Sequence, residues 1–180
     1  MTWPQFDLND APTPLDVATW VGLGRLVPDD VPMWAAQWLI AGYDGESLAM
    51  LAGLGPRDTD EIHELLPSAL TDCGVTVPDS ETAAARVSFD RLARMYRDGR
   101  AGPRWVVDKV CELLENARFA DGVRAQPFAQ LCQHSAEPDG RSAAELAAAV
   151  EQACRDQLDR GRARPRRVRP GPSGIRTWRR

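Results

Sequence analysis

Between Leu15 and Leu158 apolar side chains recur three and four positions apart, and nowhere do they alternate with polar ones over more than four residues. That period gathers them on one stripe of an α-helix, whereas a half-buried strand needs a period of two. The expected fold class is therefore all-α. At 180 residues, 43% hydrophobic and 27% charged, the chain has the composition of a folded protein and the length of a single domain. A single globular bundle of six to eight short helices over 15–159 is expected, with an irregular N-terminal arm at 1–14 and an Arg/Pro-rich disordered tail at 160–180.

Glycine, proline and capping residues punctuate the pattern. Leu15–Val21 makes one or two turns, stopped by Gly22 and Gly24. Asp30 as N-cap and Pro32 in the first turn open a helix over 31–41 that ends at Gly42. A short helix over 46–52 ends at Gly53. Asp58 or Thr59 caps the next, whose buried stripe is Ile62, Leu65, Leu66, Ala69, Leu70 and Cys73; Pro67 inside it predicts a kink or a split. Further helices run from Asp79 or Ser80 to Asp98 and from Pro103 to Ala117, followed by a loop over 118–126 and a short helix from Pro127. Ser142-Ala143-Ala144-Glu145 is a capping box that opens a last helix to Asp159.

A formal net charge of −4 conceals two opposite blocks: residues 1–159 carry −13 and residues 160–180 carry +9. The positive block is Arg160, Arg162, Arg164, Arg166, Arg167, Arg169, Arg176, Arg179 and Arg180, interleaved with three prolines and three glycines. Like-charge repulsion and scarce apolar side chains leave little to offset the entropy of ordering it. Three readings of this tail stay open. It neutralises phosphates of a nucleic acid, with Trp178 stacking on a base; it folds back on the acidic body; or it is an extension without function. Lys109 is the single lysine beside 21 arginines, the usage of a GC-rich genome, which weakens any reading of arginine as a chemical choice. The −13 of the body also repels a polyanion brought within a Debye length.

Few residues point to catalysis. His63-Glu64 lacks the second histidine one turn later that a zinc protease helix needs, because Pro67 stands there. Cys111, Cys132, His134 and Cys154 are the ligand types of a zinc site, but three of the four stand about a helical hairpin apart on apolar stripes, where a reduced cysteine is a small hydrophobe. Gly22-x-Gly24 and Gly53-x-Gly55 lack the third glycine and preceding strand of a dinucleotide loop, and Asp44-Gly45-Glu46 lacks the rest of a calcium loop. The reading is of a protein that is not an enzyme and holds no cofactor or metal. No basic residue precedes Arg25 and no apolar run is long enough to span a bilayer, so a cytoplasmic protein with reduced thiols and no membrane partner is expected.

Six tryptophans are many for this length. Trp34 and Trp38 share one helix face, with Trp20 and Tyr43 near in sequence, and form either a buried aromatic cluster or a partly exposed patch that anchors a partner. The sequence from Trp38-Leu39-Ile40-Ala41-Gly42-Tyr43-Asp44 through Leu51-Ala52-Gly53-Leu54 and Glu61-Ile62 to Gly74 resembles small helical actinobacterial proteins of unknown function, some of them in toxin and immunity gene neighbourhoods. That resemblance implies a helical fold and no catalytic residue. The expected function is binding of another protein, of basic character, by an immunity-like or accessory factor, through Trp34, Trp38, Tyr43, Asp58, Asp60, Glu61 and Glu64. The alternative is a nucleic-acid-associated accessory protein that contacts phosphates through its arginine tail.

Overall fold

Thr13 starts the first helix, α1 (Pro14–Gly22), with a reciprocal cap: its Oγ1 accepts the Asp16 N–H at 3.2 Å, and the Asp16 carboxylate accepts the Thr13 N–H at 3.1 Å. The same device, between Ser142 and Glu145, opens α8 (Ala143–Asp159) where the sequence places it. A computed structural model of the chain describes residues 11–134 and 142–160. Between α1 and α8 lie α2 (Val31–Ala41), α3 (Glu46–Ala52), α4 (Thr59–Asp72), α5 (Ser80–Arg97), α6 (Pro103–Asn116) and α7 (Asp121–Arg124). Two 3-10 segments, Pro28–Asp30 and Pro127–His134, complete an all-α fold, with no strand among the described residues. None of the helices described is long and apolar enough to cross a membrane. The expected disorder of the tail concerns 161–180, outside the described residues, as are Trp3 and Phe6 of the arm.

The bounds of α2, α3 and α8 follow the local signals, and Gly42 ends α2 at φ 100°, a left-handed conformation glycine adopts without strain. Three details differ. Asp30 makes no side-chain cap bond, because the 3-10 turn before it feeds straight into α2 and leaves its backbone already helical. Pro67 neither splits nor ends α4, which runs unbroken to Asp72. Pro67 and His63 are both exposed, so water can satisfy the carbonyl that proline leaves without an N–H, while Ile62, Leu66, Ala69 and Leu70 hold the helix to the core. The expected loop over 118–126 contains the helical turn α7, reached through Arg118 and Phe119 at φ 46° and 56°.

The buried side chains form two clusters. One unites α1–α4 around Val17, Ala35, Trp38, Leu48, Leu51, Ile62, Leu66 and Leu70; the other unites α5–α8 around Phe89, Val106, Val110, Leu114, Phe128, Leu131, Val150 and Cys154. In the first, α3 packs between α2 and α4, and Asp72 of α4 caps α3 from outside, its Oδ2 accepting the Leu48 N–H at 3.0 Å. In the second, α5 lies against α8, and the 3-10 segment 127–134 fills the space between α6 and α8. The rings of Phe89 and Phe128 meet there at 5.9 Å. The two halves touch along α1 and α5.

The expectation of four reduced thiols is corrected at one pair. Cys111 on α6 and Cys132 in the 3-10 segment are joined by a disulfide across a Cα separation of 5.1 Å, leaving Cys73 and Cys154 free. A stripe reading could not foresee this, since it places each cysteine on its own helix and says nothing of which helices meet. Thiol titration of the denatured, unreduced protein is expected to find two of four cysteines reactive. Closing a loop of 21 residues stabilises a fold by about 3 kcal/mol in the chain-entropy account, so reductant should lower the melting temperature. Four reactive thiols and a melt indifferent to reductant would contradict the bridge.

Gly122 sets how closely α7 approaches α5. A Cβ there would lie 2.2 Å from the Thr82 hydroxyl, which is itself fixed by donating to Asp79 Oδ2 at 2.8 Å. Gly122→Ala is expected to cost about 1–3 kcal/mol as an overpacking change. An unchanged thermal unfolding midpoint would mean that the two helices part freely.

Candidate functional site

Charge is unevenly divided between the two halves. Residues 11–78, which build the α1–α4 half, hold ten acidic side chains against Arg25 and Arg57, a balance of −8; residues 79–160 hold fourteen against twelve basic ones, a balance of −2. The negative body expected from the whole sequence is thus mainly its first four helices. On α4 the amphipathic pattern decides which of these acids reach solvent: with Ile62, Leu66, Ala69 and Leu70 inward, Asp60, Glu61 and Glu64 are exposed, as is Asp58 just before the helix. Asp58 has a local duty, accepting the Gly55 N–H at 2.8 Å. Asp60, Glu61 and Glu64 are in no ion pair among the described residues. Their charges therefore act outward.

The aromatic candidates mostly face the other way. Trp38 is 3% exposed, and its Nε1 donates to the Pro12 carbonyl at 2.9 Å, tying the end of the N-terminal arm to α2. Trp34 is half-buried, its ring edge-on to Trp20 at 5.8 Å, and Tyr43 is half-buried with its hydroxyl pushed above the ordinary phenol range by burial and by Cys73. Trp38 thus offers no surface to a partner, while Trp34 and Tyr43 each keep part of theirs exposed. The large apolar side chains that the α1–α4 half exposes are not aromatic and were not singled out in the sequence: Ile40 at 73%, Val27 at 65% and Met50 at 54%, with Met33 at the margin. Met33, Gln37 and Ile40 follow the i, i+4, i+7 stripe of α2, and Gln37 Oε1 is buried with no hydrogen-bond partner among the described residues. The signal was present in the sequence, because Gln37 is the only polar residue of α2, and a helix apolar all round has a second face to cover.

No family model, curated protein or solved structure matches this chain.

The surface between the halves is polar and was invisible to local pattern reading. Arg86 of α5 is 8% exposed; its Nη2 donates to Asp16 Oδ1 of α1 at 3.1 Å, and its Nε lies 3.9 Å from Asp90. Burial pushes the Asp90 carboxyl up, opposed by the Gln157 hydrogen bond at 2.8 Å and by the Arg86 charge. Gln157 in turn accepts from the Phe128 N–H at 3.4 Å, so the seam runs on into the second core. Beside Arg86 a cleft of about 430 Å³ opens between the halves, lined among others by Thr19, Thr82, Gln126 and Arg160. A second cleft of similar volume lies at Phe119, Arg124 and Cys132.

Among the described residues, groups suited to covalent or metal chemistry are not brought together. The described residues contain no group of three histidine, cysteine or carboxylate side chains able to share a metal. Cys111 and Cys132 are bonded to each other, and the chemistry of a disulfide is not that of thiolate ligands. Burial and Asp72 push the Cys73 thiol up to about 12, and burial and Glu151 push Cys154 up to about 11. Both remain protonated thiols at neutral pH. His63 is exposed, its Nδ1 2.7 Å from the Thr59 carbonyl of the preceding turn.

Proposed function

We propose that the protein is a non-enzymatic binding factor, immunity-like or accessory, whose α1–α4 half docks a basic protein. The observation that carries this reading is the division of charge: one of two packed halves holds −8 of the body's −13, with the α4 carboxylates Asp60, Glu61 and Glu64 exposed and in no ion pair among the described residues. A concentrated negative field accelerates encounter with a positive surface and disfavours wrong partners. The exposed Met33, Ile40 and Met50 on the neighbouring α2 and α3 supply apolar area of the kind that buried interface centres use. Protonated thiols at Cys73 and Cys154 and an isolated surface histidine support binding over catalysis. The Cys111–Cys132 bridge favours an oxidising compartment over the cytoplasmic setting expected from the sequence, since such bonds persist where thiols are not kept reduced.

Affinity purification from the native host, followed by hydrogen exchange on the purified complex, tests the proposal. A basic partner released by salt, with new protection on α2–α4, is the expected result. An acidic partner, or protection confined to α5–α8, would overturn it.

One observation keeps nucleic-acid association by the arginine tail as a second reading. The tail leaves from α8, in the half whose balance without Arg160 is −3, so a phosphate chain held there meets less repulsion than the whole-body charge suggests. Binding of DNA or RNA with a steep salt dependence that vanishes on removing 160–180 would favour this alternative.

A further inference from the structure

We propose that the exposed face of α4 is an intramolecular docking site for the arginine tail, residues 161–180, which thereby shields the acidic half from other cationic proteins. The docking stands on charge and on where the described chain ends; only the shielding of a partner rests on the reading of the acidic half as its site. From Asp58 to Ala85 the chain holds seven acidic residues and no lysine or arginine. Within that stretch Asp60, Glu61 and Glu64 stand on the solvent side of α4, in no ion pair among the described residues. On α6 and α8, by contrast, Asp108, Glu112 and Glu151 have cations of their own one turn away, Arg104, Lys109 and Arg155. The last turn of α5 holds Arg94 and Arg97, whereas that of α4 holds no basic residue, so the negative end of the α4 dipole lacks the cation such ends favour. The tail brings eight arginines and no acid.

The described chain ends beside that helix. Arg160 lines the cleft between the halves together with Gly74 and Val75, which follow the C-terminus of α4. A helix rises about 1.5 Å per residue, so Glu64 and Asp60 lie about 12 and 18 Å before Asp72, the last residue of α4. An extended chain spans at most about 3.3 Å per residue, so residues 161–167, with four of the eight arginines, reach about 23 Å. The tail is therefore long enough to run the length of α4 from the point where it leaves the body. A tether this short sets an effective concentration on the order of millimolar. At that concentration a contact with a dissociation constant of roughly 0.5 mM is populated about two to one, and it weakens the binding of a free cation to the same face about threefold.

The test compares amide NMR spectra of the full chain at low salt with those of a full-length variant carrying Arg162→Gln, Arg164→Gln, Arg166→Gln and Arg167→Gln. Shift differences are expected on α4 and on residues 73–75, independent of protein concentration and lost in about 0.5 M salt, where the Debye length falls to about 4 Å. With Asp60→Asn, Glu61→Gln and Glu64→Gln also in place, the tail substitutions should no longer move the α4 signals. Octa-arginine, titrated at low salt as a stand-in for a cationic partner, should bind the tail variant about threefold more tightly than the native chain. Unmoved α4 signals, or shifts confined to α5–α8, overturn the docking. Shifts that grow with protein concentration overturn it too, because they place the tail of a second copy on the helix. Equal affinity for octa-arginine overturns the shielding. No partner enters the spectra, so a partner that protects only α5–α8 while the tail still shifts α4 defeats the binding proposal and leaves the docking standing.

Discussion

Phe89→Ala is expected to destabilise the protein by about 3–5 kcal/mol, a drop in melting temperature on the order of 10 °C for a chain of this size. Phe89 is fully buried at the centre of the α5–α8 core, and its ring faces that of Phe128 from the 3-10 segment. Truncation removes the apolar area and leaves a cavity that the neighbours cannot refill, since Val106, Val110 and Leu131 are fixed on other elements. Phe128→Ala should cost about as much. The double variant should cost less than the sum by about 0.5–1.5 kcal/mol, the coupling of an aromatic pair. Strict additivity in denaturant unfolding would mean that the two rings do not support each other.

Arg86→Met is the second large effect, expected at about 2–3 kcal/mol at neutral pH and set below the full value for a buried pair because Asp16 is partly exposed. The substitution cuts the ion pair between α1 and α5 and leaves Asp90 enclosed without its cation. Asp90 also gives the effect a pH signature. Its folded-state carboxyl already lies above the unfolded value, so the folded state holds this proton longer than the unfolded one, and stability falls as pH rises through that window. Without Arg86 the carboxyl shifts further up and the fall steepens, so the deficit of Arg86→Met is smallest in acid, where Asp90 is protonated, and largest at neutral pH. Asp90→Asn, which keeps an acceptor for Gln157, should restore part of the loss in the double variant. An equal deficit at pH 4 and pH 7, or no rescue, would contradict this picture of the seam.

These two sites mark the boundary of what the sequence discloses. Helix existence and most bounds are local matters: Gly42, the Ser142–Glu145 box and the stripe of α4 are read from neighbours within four residues, and the structure follows them. The exposure of Asp60, Glu61 and Glu64 was legible for the same reason. Contacts between distant residues were not. Nothing near Asp72 says that it caps α3, nothing near Arg86 that it meets Asp16 seventy residues earlier, and nothing near Cys111 that Cys132 is its partner. The sharing of a face by Trp34 and Trp38 was correct, but which of them lies deeper depends on where the chain before α1 is laid, through the bond from Trp38 to Pro12. The division of the charge became visible only when the two cores showed where one half ends.

Docking through the acidic half is tested most directly by the affinity of the full chain for its purified partner, measured across salt concentration. Substituting Asp60→Asn, Glu61→Gln and Glu64→Gln together removes three exposed, unpaired charges without touching either core. At about 0.5 kcal/mol each, these should weaken binding roughly tenfold and flatten its salt dependence. Unchanged affinity with an unchanged salt slope would show that the acidic half is not where the partner docks.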